Sequence, residues 1–310
     1  MKKNNTHRTR FTEVRAKKNL GQHFLNNTDM ARVIARCVHA DYTPALMPDG
    51  SLNGLEAGAL SRDASEFSSG TPAPLNVLEI GPGMGVLSQC LWEDPSLNVS
   101  LVELDAESVV YLARHFPQQT DNDRLIPADF LKMDLAKLFT DKTTGKPQEF
   151  VVTGNFPYNI SSQILFRVLE NKERIPLVSG MFQKEVGERV CAQPGSKAYG
   201  ILSVLLQAFY NTEYLFTVEP FEFTPPPQVR SCVIRLTRND TERLGCDEKR
   251  FTGIVKRAFN QRRKTLRNAL QSFAEEQNLP LSALPQQLLG KRAEELSVQD
   301  YISLTQCFEK

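Results

Sequence analysis

No stretch of this 310-residue chain is apolar for long enough to span a bilayer, which argues against a helical membrane protein. No charged n-region with an apolar h-region opens it, so no secretory leader is expected. The six cysteines (Cys37, Cys90, Cys191, Cys232, Cys246 and Cys307) are scattered without a C-x-x-C pair. The four histidines are unclustered and stand at no ligand spacing. A disulfide framework, a zinc site or any other metal is therefore not expected, and reduced thiols suit the cytoplasm. Internal repeats are absent, and nothing suggests a dimer surface, so a monomer is expected. What remains is 41% hydrophobic residues, enough to bury the core of one large α/β domain with a small appendage.

The formal net charge of +1 conceals a division. Residues 1–24 hold seven Lys/Arg against one acid, and residues 249–267 hold eight with no acid, which leaves the rest of the chain near −13. Two basic segments on an acidic body are the electrostatic signature of a polyanion contact. Residues 1–15 alone read rather as a basic flexible tail. For Val255 to Arg267, apolar positions 255, 258, 259, 266 and 270 keep a buried stripe and leave the charges on one outer face. Arg262, Arg263, Lys264 and Arg267 are the candidate phosphate contacts, and each phosphate neutralised makes affinity fall with salt.

Val77-Leu78-Glu79-Ile80 reads as a buried parallel strand, followed by Gly81-Pro82-Gly83-Met84-Gly85 and an apolar helix. Glycines there permit positive φ and close backbone approach, as in the first turn of a doubly wound sheet. A pyrophosphate-binding turn wants G-x-G-x-x-G. Here the third Gly comes one residue early and an acid precedes the first by two, a form that resembles the S-adenosylmethionine site of class I methyltransferases. Val99-Ser100-Leu101-Val102-Glu103 ends in a carboxylate 22 residues beyond Gly81, placed to accept hydrogen bonds from a ribose diol. Asp105 is the alternative, though the strand-end position favours Glu103. One βα unit later, Leu125-Ile126-Pro127-Ala128-Asp129 offers Asp129 to the cofactor adenine, or else a helix N-cap.

Phe150 to Gly154 reads as another strand, closed by Asn155-Phe156-Pro157-Tyr158. An Asn acceptor, a Pro carbonyl and a Tyr face at one strand end suit a grip on an exocyclic amine, with the base stacked on the ring. The plain alternative is a strand-end turn capped by Asn155 with Tyr158 beneath it. Phe182, closing the strand Val178–Phe182, either covers the other face of the base or is a core aromatic.

The fold class expected is α/β. A Rossmann-like methyltransferase domain spans 16–238, with a surface insertion at 41–75 rich in Pro, Gly, Ser, Asp and Ala. Helices are expected at Asp29 to His39, Ser162 to Glu170 and Ala198 to Phe209, and a last strand at Ser231 to Leu236. Residues 239–310 show no strand pattern. Helical runs near 248–260, 262–276, 281–288 and 297–308 imply a small all-helical domain.

Lys18-Asn19-Leu20-Gly21-Gln22-His23-Phe24-Leu25, the Gly81 turn, Gly154 to Ser161, Phe182 to Val186, Ser196 to Gly200, Phe223 to Val229 and Phe259 to Arg267 occur in this order. Together they resemble the bacterial small-subunit (16S) rRNA adenine N6-dimethyltransferases, the kasugamycin-sensitivity family, from about residue 15 to 305. The resemblance implies S-adenosylmethionine as cofactor and dimethylation of N6 on two adjacent adenosines in the 3′-terminal hairpin of 16S rRNA. It also implies action on an immature small subunit, the pre-small-subunit particle, and a part in ribosome biogenesis. By this resemblance the cofactor contacts fall on His23, Leu25, Gly81, Glu103, Asp129 and Asn155, and the amine grip on Asn155, Pro157 and Tyr158. Phe156 stands where Leu or Ile is common and is expected to alter the pocket wall; residues 41–75 have no counterpart. Two rivals share these features: a resistance methyltransferase acting on large-subunit rRNA, and an RNA-binding assembly factor in which catalysis is secondary or lost.

Overall fold

The computed structural model describes residues 14–17, 20–46, 74–141 and 143–309. The basic residues 1–13 and most of the expected 41–75 insertion lie outside them.

The chain enters through a two-residue strand β1 (Phe24–Leu25) and helix α1 (Thr28–Arg36). The Asn27 side chain caps α1 by accepting from the backbone N–H groups of Asp29 and Met30. Strand β2 (Leu75–Ile80), helix α2 (Val86–Trp92), β3 (Leu97–Glu103), α3 (Ala106–His115) and the short α4 (Pro117–Thr120) follow. Next come β4 (Leu125–Pro127), β5 (Val151–Asn155), α5 (Ser161–Glu170), β6 (Leu177–Gln183), α6 (Lys184–Cys191) and α7 (Ile201–Gln207). Strands β7 (Tyr210–Val218), β8 (Phe223–Thr224) and β9 (Ser231–Arg238) close the β region. Helices α8 (Glu248–Asn260), α9 (Leu266–Glu276), α10 (Gln286–Leu289) and α11 (Val298–Cys307) complete the chain.

The seven-stranded sheet has the order β4-β3-β2-β5-β6-β9-β7. Strands β4 to β6 run parallel, and β9 pairs antiparallel with β6. Val77 to Ile80 are all buried, as a strand covered on both faces requires. The order reverses between β2 and β5, and at such a switch point the strand ends leave a crevice for a ligand. Gly154 marks how tightly these strands meet, since a Cβ there would lie 2.5 Å from the Ile80 carbonyl oxygen. Away from the sheet, β1 pairs antiparallel with β8, Phe24 opposite Thr224 and Leu25 opposite Phe223.

Several elements differ from the sequence expectation. Strand β7 was not expected as such, because Tyr210-Asn211-Thr212-Glu213 carries little apolar signal before Leu215 and Phe216 become buried. Helix α7 begins at Ile201, since Ser196 to Tyr199 forms a turn in which the Ser196 carbonyl accepts the Tyr199 N–H at 3.3 Å. The basic run from Val255 to Arg267 is not one helical face. Helix α8 stops at Asn260, residues 261–264 form a turn, and α9 starts at Leu266.

The chain divides into two compact units, Met1–Lys184 with Tyr214–Thr237, and Glu185–Glu213 with Arg238–Lys310. The expected boundary near 238 therefore gives the second unit too little, because α6 and α7 belong to it. The reason is apolar packing: Tyr199, just ahead of α7, lies 6.2 Å from the Phe259 ring of α8, and Phe259 lies 6.2 Å from Tyr301 of α11. The Tyr301 hydroxyl donates to the Ala293 carbonyl at 2.8 Å. Among the described residues no helix is long and apolar enough to cross a membrane.

Candidate active site

In the first unit, the carboxyl ends of β2, β3 and β5 open onto a cavity. Its walls come from Leu20–Leu25, Glu79–Met84, Val102–Leu104, Ala128–Leu131 and the turn after β5. His23, Leu25, Gly81, Glu103, Asp129, Asn155, Pro157 and Tyr158 all line it. Residues expected from five separate sequence segments thus meet in one place.

The glycine turn makes the close approach possible. Gly83 has φ of +56°, and a Cβ there would lie 2.8 Å from Cε1 of the Phe24 ring. A side chain would therefore displace the first loop from the turn. The Gly83 N–H donates to Glu103 Oε2 at 3.0 Å, and the Asp105 N–H donates to Oε1 at 2.8 Å. Glu103 is 5% exposed. Burial raises its pKa, while the N–H groups of Asp105 and Gly83 pull it back. Placement separates Glu103 from Asp105: Glu103 lines the cavity, whereas Asp105 turns to Lys17 and to Ser108, whose hydroxyl donates to it at 3.1 Å.

Glu79, one strand earlier, is more deeply enclosed. Its carboxylate accepts from the Ser88 hydroxyl at 2.6 Å. Burial pushes its pKa up to about 8, with the nearby Glu103 charge acting in the same sense. Asp129 Oδ1 accepts the Leu131 N–H at 3.0 Å, and Oδ2 faces Lys132 Nζ at 3.4 Å.

At the end of β5, the Asn155 amide nitrogen donates to the His23 carbonyl at 2.7 Å. That bond fixes the amide orientation and leaves Oδ1 as an acceptor at the strand end. The Pro157 carbonyl accepts the Ile160 N–H at 3.2 Å, which uses one of its two lone pairs. The Tyr158 hydroxyl is hydrogen-bonded to Ser231 Oγ, and its ring lies 5.3 Å from the His23 ring. Burial raises the Tyr158 pKa, so the phenol stays neutral at physiological pH. His23 in turn contacts the Pro225 carbonyl through Nδ1 at 2.9 Å.

Two expectations fail here for one reason. Phe156 and Phe182 are fully buried, and their rings pack 4.6 Å apart. Neither lines the cavity. Phe182 is therefore the core aromatic of its two readings, and Phe156 does not form the pocket wall. Alternation along β6 puts Phe182 on the face opposite Leu177 and Met181. Sequence reasoning also missed Gln22, Phe24 and Leu104 on the walls, and Ser231 and Pro225 as the supports of Tyr158 and His23. Gln22, Phe24 and Pro225 lay inside motifs already singled out; what no local signal gave is that Pro225 and Ser231, some 200 residues from the first loop, support His23 and Tyr158.

The predicted RNA contacts lie in the second unit. Arg263, Lys264 and Arg267 are exposed. Arg262 instead turns inward: Nη2 donates to the Lys197 carbonyl at 2.7 Å, and Nε lies 3.5 Å from Glu294 Oε2. It is a clasp across the unit rather than an open cation. Two further arginines of the basic segment behave alike. Arg250 donates to the Phe308 carbonyl, and Arg257 pairs with Glu276 at 3.2 Å over the Phe273 ring.

The cavity's lining tests which cofactor fits. Among the described residues it contains three carboxyl groups, Glu79, Glu103 and Asp129, and no Lys or Arg. A phosphate-bearing dinucleotide would find no cation among them. A phosphate-free cofactor with a ribose diol, an amino group on its base and a positive centre matches the donor set. Among the described residues no group of three His, Cys, Asp or Glu could hold a metal.

This sheet order, glycine turn and acidic strand end define a class I S-adenosylmethionine-dependent methyltransferase. The family model described as ribosomal RNA adenine dimethylase matches residues 13–310, and the chain belongs to that family. Its activity is the S-adenosylmethionine-dependent dimethylation of adenine in ribosomal RNA. The chain is 50% identical over 292 residues to ribosomal RNA small subunit methyltransferase A of Phocaeicola vulgatus, covering 94% of this chain and 89% of that one. It is equally 50% identical over 297 residues to the protein of the same name from Bacteroides thetaiotaomicron, covering 96% and 95%. Two solved structures share the fold. A dimethyladenosine transferase from Plasmodium falciparum superposes with a TM-score of 0.60 at 22% identity, over 76% of this chain and 90% of that one. The 23S rRNA methyltransferase ErmE gives 0.58 at 18% identity, over 93% and 100%.

Proposed function

We propose that the chain dimethylates N6 of two adjacent adenosines in the hairpin near the 3′ end of 16S rRNA. It acts in the cytoplasm, as a monomer, on an immature small subunit, and so contributes to ribosome biogenesis. The choice of subunit is supported by half-identity over nearly the whole chain to proteins named for the small subunit. The large-subunit rival rests on a likeness of fold alone.

The observation that carries the chemistry is the fixed Asn155 amide, whose nitrogen is held by the His23 carbonyl at 2.7 Å. The target adenine leaves its stack, at a cost of roughly a few kcal/mol, and lies against the Tyr158 ring. Asn155 Oδ1 and the second lone pair of the Pro157 carbonyl accept from its amino group. Both acceptors favour a pyramidal nitrogen with its lone pair directed at the incoming methyl. The cofactor, when bound, supplies that methyl on a sulfonium that departs as a neutral thioether, so the reaction asks for no strong general base. Positioning and amine electrostatics supply the rate. Glu103 accepts from the ribose diol, Asp129 from the cofactor base, and the His23–Leu25 wall encloses the remainder with Gly81. Arg263, Lys264 and Arg267 meet RNA phosphates, while Arg262 holds the turn that presents them.

The test is direct. The purified protein is incubated with labelled S-adenosylmethionine and unmethylated small and large ribosomal subunits, and any label is mapped. Dimethyladenosine at adjacent positions near the 16S 3′ end is expected. Label confined to large-subunit rRNA overturns the substrate assignment. Tight subunit binding with no label moves the protein to the assembly factors.

A further inference from the structure

Resting on the assignment of Glu103 to the cofactor, we propose that Lys17 is a positioning residue for cofactor binding, tying the Leu20–Leu25 wall to the residue that orients Glu103. Lys17 lies outside the cavity lining, as does Asp105, so both act through other groups.

Lys17 closes the turn from which the wall is built. Its carbonyl accepts the Leu20 N–H at 3.0 Å and the Gln22 N–H at 3.4 Å, and its own N–H donates to Gln22 Oε1 at 2.9 Å. Its ammonium reaches across to the start of α3, bonding Asp105 Oδ1 and lying 3.1 Å from Glu107 Oε1. The Asp105 side chain is 2% exposed, and the Asp105 N–H is one of the two donors that orient Glu103. A path of polar contacts therefore runs from the first loop to the carboxylate at the end of β3.

Charge gives the contact a second effect. Asp105 and Glu103 are like charges, and the Asp105 charge adds to burial in raising the Glu103 pKa. Burial works against ionised Asp105 as well, but hydrogen bonds from Lys17 and Ser108 outweigh it and hold its pKa below the ordinary value. Without the ammonium, Asp105 keeps its buried position and loses its counter-charge beside Glu103. An ion pair between two exposed side chains would carry little weight; here one partner is enclosed and bonded to the site.

The experiment compares Lys17→Met, Lys17→Arg, Asp105→Asn, the Lys17→Met/Asp105→Asn double variant and Glu103→Gln. Calorimetry gives the Kd for S-adenosylhomocysteine, steady-state kinetics give kcat and both KM values, and melting gives the ligand-free Tm. Lys17→Met is expected to raise the Kd and the cofactor KM by at least about fivefold, the lower end of typical site-to-site coupling. The kcat and the RNA KM stay as in the parent, Lys17→Arg restores binding, and the double variant binds no worse than the poorer single one. Parent-like binding by Lys17→Met overturns the proposal, as does failure of the arginine to rescue, or a loss spread over kcat and RNA KM in step with a fallen Tm. If Glu103→Gln itself binds as the parent does, the underlying assignment of Glu103 falls; weak binding by Glu103→Gln beside normal binding by Lys17→Met removes only the role of Lys17.

Discussion

In the first unit, Glu79 and Glu103 lie inside, at strand ends, each met by named donors. In the second unit, Arg250 and Arg257 on α8 and Arg262 in the turn after it fold back onto carbonyls, carboxylates and a ring. The sequence marked Glu103 and Arg262 as functional, and of the two only Glu103 lines a cavity. A strand end is a poor place to hide a polar group, because register and neighbouring strands dictate where its side chain goes. A long cationic side chain on a helix has rotamers enough to reach a cap or a partner several residues away. Net charge in a helical segment therefore overstates what solvent or RNA can meet.

The largest expected effect falls on Asn155. Asn155→Ala removes one of two acceptors for the amine, and kcat is expected to fall about 10²–10³-fold, as for loss of a preorganised hydrogen-bonding group. Single-turnover methyl transfer measures it, and an unchanged rate would reduce this strand end to a structural cap. Next is Glu103→Gln, which leaves the diol one charge-assisted acceptor short. Loss of such a bond, about 1.5–3 kcal/mol, weakens S-adenosylhomocysteine binding by roughly 10- to 100-fold, read by calorimetry.

Glu79 separates burial from function. Its carboxyl stays protonated in the folded chain up to about pH 8, whereas in the unfolded chain it ionises near the ordinary 4.5. Between those values the unfolded state has lost a proton that the native state keeps, so stability falls as pH rises, by about 1.4 kcal/mol per pH unit. Glu79→Gln is expected to flatten that slope and to unfold later in urea at pH 7 than the parent. Equal slopes for the two would mean that Glu79 is charged in place.

The smallest effects sharpen the contrast within the second unit. Arg262→Ala breaks the clasp to Lys197 and Glu294 and is expected to lower stability by at most about 1 kcal/mol, because the guanidinium is 37% exposed and its bond to Lys197 meets solvent. Lys264→Ala leaves stability alone, weakens RNA binding, and reduces the salt slope by about 1. If both variants shift only the salt dependence, Arg262 contacts RNA after all.

Much of the first unit was legible because its signals are local. A buried strand followed by a glycine turn, and acids at successive strand ends, each need only a few consecutive residues. The β1–β8 pairing was not legible, since Phe24–Leu25 and Phe223–Thr224 are two-residue strands joined from opposite ends of the unit. Nor were the inward turns of Arg250, Arg257 and Arg262, which depend on partners such as Phe308, Glu276 and Glu294 far along the chain. Phe182 shows the same boundary at the scale of one residue: alternation along β6 sets its side of the sheet, but the ring that covers it, Phe156, comes from the end of another strand.

The bond from the Asn155 amide to the His23 carbonyl makes two apparently separate tasks a single one. If the first loop swings away, the amide loses what keeps its nitrogen turned aside, and nothing then prefers oxygen over nitrogen toward an incoming adenine. An open cofactor wall and a misdirected amine acceptor are thus one fault with one repair. Readiness for RNA is written into the closed state of the other ligand's site, and a base that arrives early meets an amide whose oxygen is not yet fixed toward it.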